Sequence, residues 1–143
     1  MKLRYTLLQE GAKPPIRAHD DDAGFDLHAA EAACLEPGER VSVGTGVALE
    51  VPSGWAGLLL PRSGLAARHG IALVNAPGLI DPGYRGEVRV LLLNTDRAEA
   101  FEIEPGDRVA QLVLVRFEAP RLERVDSLAV TARGEGGFGS TGR

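Results

Sequence analysis

Turn-forming segments interrupt this chain at short intervals, and no other feature constrains its fold as strongly. Glu36-Pro37-Gly38, Pro52-Ser53-Gly54, Asp81-Pro82-Gly83 and Pro105-Gly106-Asp107 separate short apolar runs at 3–8, 41–43, 47–51, 55–60, 71–74, 88–93, 101–103 and 109–117. Proline removes a backbone donor and glycine costs entropy to order, so 18 glycines and 9 prolines leave little room for long helices. Many short strands with turns at this spacing predict an all-β fold, a sandwich or a barrel. Only 63–69 reads as a helix, of one or two turns. At 143 residues, 44% of them hydrophobic, the chain suits one domain with a sizeable core, and no internal repeat divides it. The reading is a β domain over 1–132, followed by a mobile, glycine-rich arm of the same domain over 133–143.

Two runs, Val88-Arg89-Val90-Leu91-Leu92-Leu93 and Val109-Ala110-Gln111-Leu112-Val113-Leu114-Val115, are apolar on both faces. Either neighbouring subunits cover the second face, or an inner sheet of a two-layer sandwich is well covered within the chain. A net charge of −4 disfavours general nucleic-acid binding. Cys34 is the only cysteine, so no internal disulfide forms, and His19, His28 and His69 are too scattered to suggest a metal site. MKLRYTLLQE at 1–10 lacks the apolar run of a signal peptide, and no segment is long enough to span a membrane. The expectation is a cytoplasmic protein without a membrane partner.

Several segments suit phosphate chemistry. The stretch 133–143, RGEGGFGSTGR, combines five glycines with Arg133, Phe138, Ser140 and Thr141. It reads either as a solvated tail or as a lid in which arginine and hydroxyls grip phosphate and the ring stacks on a base. Pro61-Arg62-Ser63-Gly64 enters the short helix, either as a phosphate seat or as a capped helix with Ser63 near the N-cap. Gln111, within an apolar run, bonds neighbouring backbone or faces a ligand. Asp26 lies between Phe25 and Leu27 at the start of a strand, where it caps a turn, pairs with an arginine or reaches a metal through water. Asp81 opens a Pro-Gly turn and serves as a base toward water, or as an Asx turn bonding its own backbone. Tyr84, one of two tyrosines, suits packing on a sugar. No GxxxxGK[ST] loop is present.

Taken in order, AGFDLHAA at 23–30, PRSGLAARHG at 61–70, NAPGLIDPGYRGEV at 75–88, GDRVAQLVLV at 106–115 and RGEGGFGSTG at 133–142 resemble the five motifs of the trimeric dUTPases. The resemblance implies a β jelly-roll homotrimer with shared active sites that splits dUTP into dUMP and pyrophosphate, with Mg²⁺ on the triphosphate. It implies that Asp81 activates water and that Tyr84 lies under the deoxyribose and excludes a 2′-hydroxyl. It further implies that Asn75 reads uracil with the backbone around Gly78 and Ile80. Arg62, Ser63, Gly64 and Gln111 match phosphate contacts, and Asp26 matches a carboxylate holding metal-bound water. In the tail, Arg133 matches an arginine that reaches the phosphates, Phe138 a ring on uracil, Ser140 and Thr141 hydroxyls near the γ-phosphate, and Gly139 a further substrate contact.

Two alternatives differ in class. The related dCTP deaminases carry a catalytic glutamate in the strand after an IDPG-type turn. Here Leu91 falls at that place, and no carboxylate lies between Glu87 and Asn94. A non-catalytic deoxynucleotide sensor on the same fold would need neither Asp81 nor an arginine-bearing tail.

Overall fold

The computed structural model describes residues 1–137. Along the chain run β1 (Arg4–Leu7), β2 (Phe25–His28), β3 (Ala33–Leu35), β4 (Arg40–Glu50), β5 (Trp55–Leu60), α1 (Ser63–His69), β6 (Ile71–Leu73), β7 (Gly78–Ile80), β8 (Glu87–Asn94), β9 (Phe101–Ile103) and β10 (Arg108–Arg116). Two four-stranded antiparallel sheets, ordered β1-β4-β8-β6 and β2-β10-β5-β7, share one core, and β3 pairs with β9. Val43, Val90 and Leu92 from the first sheet meet Leu27, Leu59 and Leu112 from the second. This is the all-β sandwich that the turn spacing predicts, with the jelly-roll character that the family resemblance implies.

The turns close as their residues require. Glu39 N–H donates to Glu36 O and Asp107 N–H donates to Glu104 O. Each of these turns places proline at its second position and a left-handed glycine at its third, Gly38 at φ 79° and Gly106 at φ 96°. The helix covers the predicted seven residues and ends on left-handed Gly70, whose N–H donates to Ala66 O. Its N-cap is Arg62, not Ser63, and no side chain caps it. Ser63 is the first helical residue, so the capping reading of its hydroxyl does not hold.

The apolar runs at 41–43 and 47–51 are not separate strands. They form the single eleven-residue β4, which crosses Gly44-Thr45-Gly46 without a turn. Opposite Gly44 stands Arg89, and opposite Ala48 stands Glu87, so the ladder carries a bulge. The glycines mark this bulge and not a chain reversal. The short strand β3 had no periodicity of its own to announce it.

Burial separates the faces that composition blurred. Along β8, Val88, Val90 and Leu92 are buried, while Arg89 and Leu91 face outward. Leu91 is 39% exposed, and Leu79 on β7 is 64% exposed. A single chain therefore leaves the second face of β8 uncovered, contrary to the well-covered inner-sheet reading. Among the described residues no helix is long and apolar enough to cross a membrane.

Candidate active site

The residues singled out in the sequence gather in two clefts that share no lining residue. The first, of about 350 Å³, is lined by Asn75, Gly78, Ile80, Asp81 and Tyr84, together with the outward side of β8. Strand β7 forms one wall. It is the edge of its sheet, paired only with β5, so one row of its backbone donors and acceptors stays outside the ladder. Gly78 lies against Leu59 and the Asn75 carboxamide, where a Cβ would come within 3.2 Å and 3.3 Å of them respectively. This wall can present backbone groups and one amide to a flat polar ring.

Asp81 follows β7 at once. Its main-chain oxygen accepts from Tyr84 N–H at 3.1 Å, closing the Asp-Pro-Gly-Tyr turn. Its exposed carboxylate accepts no hydrogen bond from any described residue, so the Asx-turn alternative fails. Tyr84 lines the same cleft and donates its hydroxyl to Glu87 O at 2.8 Å. Glu87 is the other carboxylate in the lining, and both of its oxygens are committed, Oε1 to Gly46 N–H and Oε2 to Arg89.

The second cleft, of about 380 Å³, is lined by Asp26, Arg62, Ser63, Gly64, Arg108 and Gln111, with the loop around Asp22 and Gly24. Asp26 sits on β2, beside Gln111 of β10. Its Oδ1 accepts from Arg62 Nε at 3.0 Å and its Oδ2 from Arg108 Nη1 at 3.2 Å. Its side chain is 15% exposed, which makes this a partly buried, charge-compensated cluster. Arg62 Nη1 reaches Arg108 O at 3.5 Å, and its Nη2 has no partner among the described residues. Gln111 Nε2 donates to Pro61 O at 2.9 Å. A Cβ on Gly24 would lie 2.9 Å from Gln111 Oε1. Gln111 thus does both things its sequence context allowed, holding backbone and lining a cleft. Arg108 escaped the sequence reading although it stands in GDRVAQLVLV. Its signal is its place three residues before Gln111 on a strand whose register shifts between them.

His28, buried on β2, has a pKa below its ordinary value because burial disfavours the imidazolium and Lys13, Arg108 and Arg62 repel it. Its Nδ1 has no hydrogen-bond partner among the described residues.

Arg133 is not brought to either cleft within one chain. Its Nε donates to Gly136 O at 2.9 Å in an exposed turn. Phe138, Gly139, Ser140 and Thr141 lie outside the described residues. No group of three or more His, Cys, Asp or Glu among the described residues is placed to cage a metal. Mg²⁺ seldom asks for such a cage, being held by one or two carboxylates, waters and substrate phosphates. Asp26 fits that mode, since two arginines occupy about half of a carboxylate's roughly four acceptor sites.

Known proteins are similar to this chain along most of its length. A deoxyuridine 5'-triphosphate nucleotidohydrolase of Thermobifida fusca (strain YX) is 56% identical over 128 residues, covering 90% of this chain and 72% of that protein. The dUTPase of Staphylococcus bacteriophage 80alpha, solved with dUpNHpp, superposes with a TM-score of 0.92 at 34% identity, over 99% of both chains. A mutant dUTPase of S. aureus phage phi11, described for its coordination of a structural Mg(II) ion, gives 0.84 at 31% identity, over 91% of this chain and 100% of that one. A sequence profile of the dUTPase family matches residues 10–142, which carry both clefts and the glycine-rich tail. The chain therefore belongs to the dUTPase family.

Proposed function

We propose that this chain hydrolyses dUTP to dUMP and pyrophosphate as a homotrimer, joining the nucleoside cleft of one subunit to the phosphate cleft of another. The observation that carries the reading is the uncommitted Asp81 carboxylate beside Tyr84 and Asn75, in a cleft whose other carboxylate is fully engaged. Uracil docks on the free edge of β7, with Asn75 and the backbone of Gly78 and Ile80 reading its polar edge. Thymine is rejected by its methyl group and cytosine by its reversed donors and acceptors. Tyr84 lies under the deoxyribose and leaves no room for a 2′-hydroxyl.

Asp81 accepts a proton from water as the water oxygen bonds to the α-phosphorus. The bond from that phosphorus to the bridging oxygen breaks, and pyrophosphate leaves with the electron pair. Such in-line displacement depends on positioning and charge neutralisation. Arg62, Ser63, Gly64 and Gln111 grip the phosphates, with Arg62 held in place by Asp26. Asp26, through water, and the substrate phosphates would hold Mg²⁺, which would supply further neutralisation of charge.

Assembly follows from incompleteness. The two clefts share no lining residue, and the outer face of β8, with Leu91, is uncovered. Residues 133–143 act as a lid arriving from a neighbouring subunit. Arg133 reaches the phosphates, Phe138 stacks on uracil, Ser140 and Thr141 contact the γ-phosphate end, and Gly139 is a further substrate contact. The enzyme works in the cytoplasm, limiting uracil incorporation into DNA and supplying dUMP, and it needs no nucleic-acid or membrane partner.

The test is to incubate the protein with Mg²⁺ and dUTP, dTTP, dCTP or UTP in turn, and to repeat with Asp81→Ala. Pyrophosphate and dUMP from dUTP alone, lost in the variant while nucleotide binding persists, match the proposal. Near-full turnover by the variant contradicts it, and ammonia from dCTP indicates deamination.

A further inference from the structure

Glu31, Glu87 and Arg89 are given no role in the proposed hydrolysis, yet they form a densely bonded polar cluster beside the nucleoside cleft. The bulge in the β4–β8 ladder sets four steps of β4, from Gly44 to Ala48, against two steps of β8, from Arg89 to Glu87. Backbone donors at such a break lose their ladder partners. Here two carboxylates replace them. Gly44 N–H donates to Glu31 Oε1 at 2.6 Å, and Gly46 N–H donates to Glu87 Oε1 at 2.8 Å.

Arg89 neutralises both. Its Nη2 donates to Glu31 Oε1 at 2.8 Å, its Nη1 to Glu87 Oε2 at 2.9 Å, and its Nε to Ser42 Oγ at 2.9 Å. Gly44 is required for this packing, because a Cβ there would lie 2.6 Å from Glu87 Oε1 and 2.8 Å from Arg89 Nη1. Glu31 is held below the ordinary carboxylate range, first by the Gly44 N–H and then by Arg89.

The other end of Glu87 holds the sugar platform. Its main-chain oxygen accepts the Tyr84 hydroxyl at 2.8 Å, and Gly86 gives the ring room, since a Cβ there would lie 2.5 Å from that hydroxyl oxygen. One residue thus ties the charged clamp by its side chain and the aromatic ring by its backbone. In a single chain the ion pairs are open to solvent, with the Arg89 and Glu31 side chains 42% and 47% exposed. Exposed pairs add little to stability. Their consequence is geometric: without Arg89, two carboxylates converge on the bulge and Glu87 is pushed off its place.

We infer that the Glu31–Arg89–Glu87 clamp is a positioning device that sets the Tyr84 ring, and so sets discrimination against a 2′-hydroxyl. The inference rests on the sugar-platform role proposed for Tyr84. Arg89 acts through Glu87 and Tyr84 and is not a catalytic residue.

A double-mutant cycle tests it: Arg89→Gln, Tyr84→Phe and both together, with kcat and KM measured for dUTP and UTP. Arg89→Gln should lower the dUTP-to-UTP ratio of kcat/KM by about three- to tenfold, the range that one net hydrogen bond supports, with the dUTP loss mostly in KM. The double variant should be no worse than the poorer single one, because both cut the same link. Arg89→Lys should restore part of the ratio. An unchanged ratio in Arg89→Gln, or independent multiplication of the two losses, overturns the clamp. Glu31→Ala breaks the clamp from its exposed end and serves the same cycle should Arg89→Gln not fold. Measuring dUMP against UMP binding in parallel requires no turnover. A wild type that binds dUMP selectively but releases no pyrophosphate would therefore overturn the hydrolytic proposal and leave the clamp to be judged separately.

Discussion

The two clefts treat their acids in opposite ways. In the phosphate cleft, Asp26 is tied to Arg62 and Arg108 before any ligand arrives. In the nucleoside cleft, the Asp81 carboxylate accepts no hydrogen bond from any described residue, while its neighbour Glu87 spends both carboxylate oxygens on Gly46 and Arg89. In the proposed mechanism the difference separates two jobs. A group that orients arginines toward a polyphosphate works best when its own geometry is already fixed. A group that must take a proton from water needs an open acceptor. The tether on Gln111 through Pro61 belongs to the first kind, and the exposure of Asp81 to the second.

The comparison breaks most readily at Asp81. Replacement by Asn keeps the shape and removes the base, so kcat for dUTP should fall by about 10²- to 10⁴-fold while dUMP affinity stays close to that of the wild type. Rapid-quench assays beside calorimetry check this, and a fall in affinity matching the fall in kcat would recast Asp81 as a binding group.

Removing 133–143 should come next, lowering kcat/KM by about 10²-fold or more through loss of an arginine that stabilises transferring phosphate. The described part of this segment, 133–137, gives no residue to the core. The truncated protein should therefore keep its oligomeric mass by light scattering, and dissociation or unfolding would contradict the lid.

Within the phosphate cleft the two arginines are not equal. The Arg62 side chain is 24% exposed and enters the helix start, whereas that of Arg108 is 50% exposed. Arg62→Ala should raise KM by about tenfold or more, as loss of a charge-assisted hydrogen bond does, and Arg108→Ala by less. Equal effects would mean that Arg108 is itself a phosphate ligand.

The smallest effect lies at His28. Its folded pKa is depressed by burial and nearby cations, so below the ordinary value of 6.5 the unfolded chain binds a proton that the folded chain refuses. Stability should be whole above pH 6.5, fall as pH drops from 6.5 toward the folded pKa, and level off below it. Melting temperatures of wild type and His28→Gln, compared from pH 8 to pH 5, should show a steeper acid decline in the wild type. Parallel curves would remove His28 from the acid sensitivity.

Much of this was legible in the chain itself. Pro-Gly pairs announced the turns, and the five segments carrying Asp26, Arg62, Asp81, Gln111 and Arg133 announced the chemistry. What stayed hidden has physical causes. Gly44 and Gly46 look like a break between two strands, but carboxylates from Glu31 and Glu87 complete the hydrogen bonding that lets β4 run on. Leu91, Leu92 and Leu93 conceal an alternation that burial restores, because the outward leucine belongs to a surface that one chain does not cover. Arg108 was missed because its partner, Asp26, stands 82 positions away and only the β2–β10 pairing joins them. The proposed sharing of a site between subunits leaves no local pattern, and only the family resemblance implied it.

Subunit mixing tests that sharing directly. Asp81→Asn chains, which lack the base, and Arg62→Ala chains would be co-refolded, and the mixed oligomers assayed for pyrophosphate release at dUTP far below the raised KM of Arg62→Ala, so that each parent turns over slowly. If one subunit lends the nucleoside cleft and another the phosphate cleft, an intact Asp81 on one chain faces an intact Arg62 on its neighbour, and activity returns. Mixed oligomers no more active than the parents would mean that both clefts serve one chain, and would contradict the shared site.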